Sequence, residues 1–368
     1  MSLRIVGAGL QTTIQDLGRP AHQRHGIPVG GAMDRTALRV ANMLVGNDDD
    51  AACLEATLIG PTIGFERAAL IALGGADLEA TIDGQRIPGW HAVCVPSGGT
   101  LRFGAPTVGC RAYIAIAGGV DVPPVFESRS TYLRAAFGGL GGRALRAGDI
   151  VALGEPSPLS RAIGESMRAT ARGADRGARI AGRGAPSTTT TGPRVEAKPG
   201  TGRPVVTIAR WSAGATLRPG YSSEPVLRLL AGAHTEALSR ESRAALFTAV
   251  FRVSASSDRM GYRLEGPSLS MREPLEVLSE AVTFGTVQLP AGGEPIVLMA
   301  DRQTTGGYPR IGEVASVDLP LIAQLKPGDR LRFRTVTLED AQRRYLAQEH
   351  DLAQARAGLA LRFSRGAR

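Results

Sequence analysis

The chain has 368 residues, long enough for two domains with cores of their own, and a formal net charge of +9. Gly (47) and Pro (23) are plentiful and aromatic residues make up 5 %, a composition that suits many short strands joined by turns. The positive charge is not a nucleic-acid signal, because it sits in two places. Residues 160–204 carry eight Arg and one Lys against three acids, and residues 352–368 carry four Arg and no acid. The remainder is close to neutral, and neither basic segment has the aromatic stripe that nucleic-acid binders interleave with charge. No apolar run approaches the roughly 20 residues that cross a bilayer. Cys53, Cys94 and Cys110 have no CxxC spacing and no secretory leader is read at the start, so reduced thiols in a cytoplasm are expected.

Near the N-terminus, Gln15-Asp16-Leu17-Gly18-Arg19-Pro20 sets a carboxylate and a guanidinium on either side of a glycine, which is either a surface ion pair or an anchor for a polar substrate. His22 and His25 have metal-compatible spacing but no neighbouring Cys or carboxylate, so no metal site is read there. Asp34 is a good N-cap for a helix whose apolar stripe is Ala37, Leu38, Ala41, Leu44 and Val45 and which Gly46-Asn47 closes. Strand-like runs follow at 54–59, 68–73, 78–82, 92–95, 100–103 and 111–117, with Asp83-Gly84 and Gly98-Gly99 read as hairpin turns. Gly148-Asp149 then turns into a last strand of this half.

Residues 160–204, rich in Ala, Gly, Arg and Thr and including Thr188 to Thr191, cannot bury enough apolar surface to offset their ordering entropy. They are expected to form a flexible linker, with 161–176 compatible with a short helix. In the second half, 225–230, 263–265, 281–288 and 296–300 are strand-like and 239–250 helical. Gly328-Asp329 repeats the Gly148-Asp149 turn 180 residues later. The expected organisation is therefore one β domain at 1–159, the linker at 160–204, a related β domain at 205–345 and a basic tail at 346–368.

Two clusters of the second half carry chemistry. Ser257-Asp258-Arg259-Met260-Gly261-Tyr262 couples an acid, a base and a phenol. The apolar run 296–300 stops at Asp301-Arg302-Gln303-Thr304-Thr305-Gly306-Gly307-Tyr308-Pro309. A buried strand that ends in donors, acceptors and glycines is suited to holding a ligand close to main chain. There is no G-x-x-x-x-G-K-[ST] phosphate loop, no G-x-S-x-G elbow, no H-E-x-x-H and no Met-Lys-Met. The last absence means that this chain carries no biotin of its own.

Taken in order, the motifs at 15–20, Gly30-Gly31-Ala32-Met33-Asp34, Ala41 to Asn47, Leu54-Glu55-Ala56-Thr57, Ser128-Arg129-Ser130-Thr131, Asp258 to Gly266 and Asp301 to Pro309 resemble the allophanate hydrolase subunit 2 family. The same family is called KipA-like, or the C component of 5-oxoprolinase. The chain departs from the family in the insert at 160–204 and in Glu127, where glycine is usual. The resemblance implies a mainly β protein with two cyclophilin-like β-barrel domains and a few short helices. It implies two partners, a KipI-like B component and a LamB/YcsF-like A component, and ATP-dependent hydrolysis of 5-oxoproline, a small lactam amide, to glutamate. Two alternatives come with it: a biotin-dependent carboxyltransferase role on urea or allophanate, and a non-catalytic KipA-like regulator. For lactam opening, the expected catalytic group is Asp301 as base or orienter, Arg259 and Arg302 as anion grips and Tyr262 as a positioning phenol. Gln303, Thr304, Tyr308, Asp16 and Arg19 are the expected substrate-binding residues.

Overall fold

A computed structural model describes residues 2–181 and 205–364. The fold is mainly β. The first half is built from two six-stranded antiparallel sheets. One runs, in spatial order, Ile150–Ala152, Ser2–Gly7, Thr62–Phe65, Thr100–Arg102, Thr81–Ile82, Gln85–Arg86. The other runs Thr207–Ser212, His91–Val95, Ala69–Asp77, Val108–Ile116, Cys53–Thr57, Gln11–Gln15. Ile5, Ile14, Leu54, Ile71, Val93 and Ile114 fill the space between them. The two central strands of the second sheet are buried on both faces, because helices cover its outer side, which is why they read as continuous apolar runs. The second half is a closed seven-stranded barrel around Leu227, Phe251, Leu264, Val287, Val297 and Phe333.

Local signals in the sequence account for much of this. The helix Arg35–Leu44 begins at Asp34, whose Oδ1 accepts the Ala37 amide at 2.9 Å. Asp83 and Gly84 both take positive φ, 49° and 85°, and close a two-residue hairpin. Gly98-Gly99 does something else. The strands on either side of it, His91–Val95 and Thr100–Arg102, lie in different sheets, so the pair carries the chain across the core. Gly148 and Gly328 make the same turn in the two halves, at φ 93° and 92°, each followed by an aspartate whose carboxylate caps the amide three residues back. Glu127, where the family is expected to have glycine, has φ 63°, the left-handed region that glycine enters without cost.

The boundaries differ from expectation at three points. Residues 158–181 form a helix, Pro158–Ala181, whose Ile163 and Met167 pack on the first half, so the first part of the expected linker is ordered. The rest of it, 182–204 with its threonine run, lies outside the described residues. The strand Thr207–Ser212 pairs with His91–Val95 and belongs to the first half's sheet. Finally, Leu338–Ser364 is one 27-residue helix that returns to the first half. Leu352 and Phe363 are buried there, and Glu349 makes a bidentate pair with Arg39 at 2.6 and 2.8 Å. Among the described residues no helix is long and apolar enough to cross a membrane.

Candidate active site

The two halves meet along a buried polar seam. Arg259, just ahead of the strand Gly261–Glu265, is 8 % exposed and makes four hydrogen bonds. Its Nε and Nη2 donate to the Asp301 carboxylate at 2.8 and 3.0 Å, Nη2 also donates to the Gly31 carbonyl at 2.6 Å, and Nη1 donates to Glu55 Oε1. Glu55 comes from the first half's strand Cys53–Thr57, and its Oε2 accepts the Tyr113 hydroxyl at 2.7 Å and the Met33 amide at 3.0 Å. Burial opposes the Arg259 charge, but Asp301 and Glu55 outweigh it and hold the guanidinium protonated beyond its ordinary range. A charge this deep is tolerated because two carboxylates share it.

A second link of the seam centres on Gln324, whose Oε1 accepts the Cys110 and Arg111 amides at 3.0 and 2.9 Å. Its Nε2 donates to Asp34 Oδ2 at 3.0 Å, which also accepts the Tyr221 hydroxyl at 2.6 Å. Burial pushes the Asp34 carboxyl up to about 6 against these hydrogen bonds. Arg111 donates from Nη1 to the Tyr262 hydroxyl at 2.7 Å and to the Ala323 carbonyl at 2.6 Å.

Asp16 and Arg19 lie beside this seam. The Asp16 carboxylate accepts the Gly18 amide at 2.7 Å, the Ser128 hydroxyl at 2.6 Å, the Arg129 amide and the Ser130 hydroxyl. Arg19 is 1 % exposed, donates to the carbonyls of Ser130 and Val125, and stacks on Phe137 at 5.0 Å. Burial pulls its pKa down, offset in part by Asp16 and Asp301. Gly30, at φ 62°, separates it from the seam: a Cβ there would stand 3.0 Å from Arg19 Nη1 and 3.6 Å from Asp301 Oδ1. Glycine is what lets these two side chains converge.

Arg302 faces the other way, into a cavity of about 550 Å³ between the halves. The walls include Leu17, Met33, Arg35 and Phe284, and the C-terminal helix supplies Tyr345, Gln348 and Glu349. Arg302 is 7 % exposed, and burial together with Arg35 pushes it down to about 10.

The residues predicted from sequence are thus sorted. Arg259 and Asp301 are brought together, with Glu55, Asp16 and Arg19 close by, but Arg259 is committed to four hydrogen bonds and serves as a clamp between halves. Tyr262 is 2 % exposed in the barrel core and tied to Arg111 and the Leu325 carbonyl, so it supports the seam from behind. Gln303 and Thr304 are half-buried, Gln303 making a 3.4 Å contact with Gln288 and the Thr304 carbonyl accepting the Val282 amide. Tyr308 is 50 % exposed and lines a separate groove with Leu275 and Glu276. Glu55, Arg35, Arg111, Tyr113 and Gln324 also belong to the seam and cavity, with no role readable from sequence neighbours for any but Glu55. The signal for Glu55 was present: a carboxylate inside the otherwise apolar strand Cys53–Thr57 must find a buried cation.

Residues 25–335 match the family described as carboxyltransferase domain, subdomain A and B, and this chain belongs to it. Within that family it is similar to the C subunit of 5-oxoprolinase from Escherichia coli (strain K12), 36 % identical over 94 % of this chain and 97 % of that protein. The corresponding 5-oxoprolinase protein of Haemophilus influenzae is 33 % identical over 90 % of each chain. Among solved structures, the urea carboxylase of Kluyveromyces lactis superimposes with a TM-score of 0.79 at 26 % identity, covering 96 % of this chain and 29 % of that larger one.

Proposed function

We propose that this chain is one component of a cytoplasmic, ATP-dependent hydrolase that opens 5-oxoproline to glutamate, acting with a KipI-like B component and a LamB/YcsF-like A component. The observation that carries this reading is the end-to-end similarity to the C subunit of 5-oxoprolinase, which spans 97 % of the Escherichia coli protein. The geometry fits the chemistry. Opening a lactam requires its carbonyl oxygen to be made a leaving group or stabilised as an oxyanion, then water to attack the carbon and the C–N bond to break. ATP supplies the activation at the level of the complex. This chain supplies a preorganised polar seam in which Asp301 and Glu55 are fixed by Arg259, with Arg302 directed into the adjoining cavity. Asp301 is assigned a positioning role through Arg259, and Gln303 and Thr304 are assigned to hydrogen-bond the substrate amide.

The test is ATP-dependent glutamate release from 5-oxoproline, with the chain alone and mixed with its two partners. Turnover is expected only in the complete mixture, and Asp301→Ala is expected to lower kcat by more than about ten-fold, the usual scale for a misplaced group near the chemistry. Intact turnover in Asp301→Ala would remove that residue from the site. A second reading, carboxyl transfer, is favoured by the likeness to urea carboxylase. No glutamate from any mixture of folded partners would overturn the hydrolase reading and make urea with carboxybiotin the next substrate to assay.

A further inference from the structure

Two cations that line the cavity between the halves make no ion pair among the described residues. Arg302 is only 7 % exposed, yet its one hydrogen bond runs from Nε to the Val282 carbonyl at 3.5 Å, and its terminal nitrogens take no partner among the described residues. Arg35, the neighbouring guanidinium, donates to the Leu17 carbonyl and pairs with no carboxylate among the described residues. The acids in reach are already committed. Glu349 and Asp49 are taken by Arg39, and Asp49 also by Arg356. Glu313 accepts the hydroxyls of Thr283 and Thr286 and makes no ion pair with either arginine. Buried charges are ordinarily paired, and Arg35, itself solvent-exposed, sets a second positive charge beside Arg302. The Arg302 side chain is largely desolvated, and its terminal nitrogens, which open onto the cavity and not onto protein acceptors, are left to hold a ligand there.

We propose that the cavity between Arg302 and Arg35 is a binding site for a small molecule bearing an oxyanion, a carboxylate or a phosphoryl group, held between the two guanidinium forks. Bidentate planar donors fit such a group better than they fit water. The remaining wall suits the body of the same molecule: Phe284 and Leu319 are apolar, while Thr36 and Ser316 offer hydroxyls. The C-terminal helix closes the cavity with Tyr345 and Gln348, so the site needs that helix in place. The inference rests on the hydrolase reading only for the choice of 5-oxoproline as a probe; the geometry makes the same demand of any function.

The experiment is isothermal titration of the full chain at fixed ionic strength with inorganic phosphate, with 5-oxoproline and with 2-pyrrolidinone, which is the same lactam without the carboxylate. At least one of the two anions is expected to bind and the neutral lactam to bind far more weakly; which anion binds identifies the group. Arg302→Gln is expected to weaken the anion by roughly ten- to a hundred-fold, the range for losing hydrogen bonds to a charged group. The same variant is expected to melt no lower than the parent in anion-free buffer, because it relieves an unpaired buried charge, so misfolding and loss of binding are told apart. No anion binding to the folded parent chain, equal binding of 2-pyrrolidinone, or unchanged affinity in Arg302→Gln would each overturn the proposal. Binding without glutamate release in the assembled complex would leave the site standing and remove the hydrolase reading.

Discussion

Asp34 shows how one side chain joins local and long-range structure. It caps the helix Arg35–Leu44 through Oδ1 and receives Tyr221 and Gln324 from beyond residue 205 through Oδ2. Its carboxyl is pushed up to about 6 by burial, above the roughly 3.9 of an unfolded aspartate. The folded state therefore holds the proton more tightly, and this residue's contribution to stability is complete below about pH 4 and lost as pH rises through about 6. The size is of order 2–3 kcal/mol for a shift of about two units. Asp34→Asn removes the titration, so the stability difference between parent and variant, from urea unfolding at pH 4 to 7, is expected to slope across that window. A flat difference would exclude Asp34 as the titrating group. A constant offset is expected as well, since an Asn amide group facing Gln324 Nε2 sets donor against donor.

At the scale of elements, the C-terminal helix Leu338–Ser364 shows why composition misleads. Its Arg-rich end reads as a solvated basic tail, yet Arg356 reaches Asp49 and the Asn47 carbonyl, while Leu352 enters the apolar layer outside the second sheet. The same layer takes Ile163 and Met167 from the helix Pro158–Ala181. Neither segment holds a core of its own, and both are ordered by packing on the outer layer of a sheet that the helix Arg35–Leu44 covers only in part. Leu352→Ala is expected to cost about 2–5 kcal/mol, as for other buried leucines, and Leu346→Ala, on the exposed side, less than about 0.5 kcal/mol. Equal and small effects in urea titrations would mean that the helix is not docked in solution.

For the molecule as a whole, the clamp from Glu55 through Arg259 to Asp301 decides how the halves sit. Glu55 and Arg259 are 204 residues apart in sequence and meet with almost no exposure to water. Removing Arg259 leaves two buried carboxylates without a cation, so Arg259→Met is expected to destabilise by about 3–5 kcal/mol. The double variant Glu55→Gln/Arg259→Met is expected to lose less than the sum of the single losses, with a coupling energy of about 1–3 kcal/mol. Additive losses in a complete double-mutant cycle would show that the pair does not join the halves.

Much of the architecture was legible along the chain because its causes are local. The Asp34 cap, the Asp83-Gly84 hairpin and the twin turns at Gly148 and Gly328 depend on backbone conformation and on side chains within a few residues, and strand periodicity depends only on which side is wet. The motif glycines were legible too, since Gly30 and Gly31 take positive φ where the chain crosses the seam. Partnership was not. The fate of Gly98-Gly99 depends on which sheet each flanking strand joins, and the roles of Arg259, Tyr262 and Arg302 depend on which carboxylates from the other half reach them first. Arg259 and Arg302 look alike as sequence, each an arginine beside an aspartate. Only the packing of the halves pairs one with Glu55 and Asp301 and leaves the other facing a cavity, because ion pairing between residues two hundred positions apart is set by tertiary distance and burial, which no local pattern encodes.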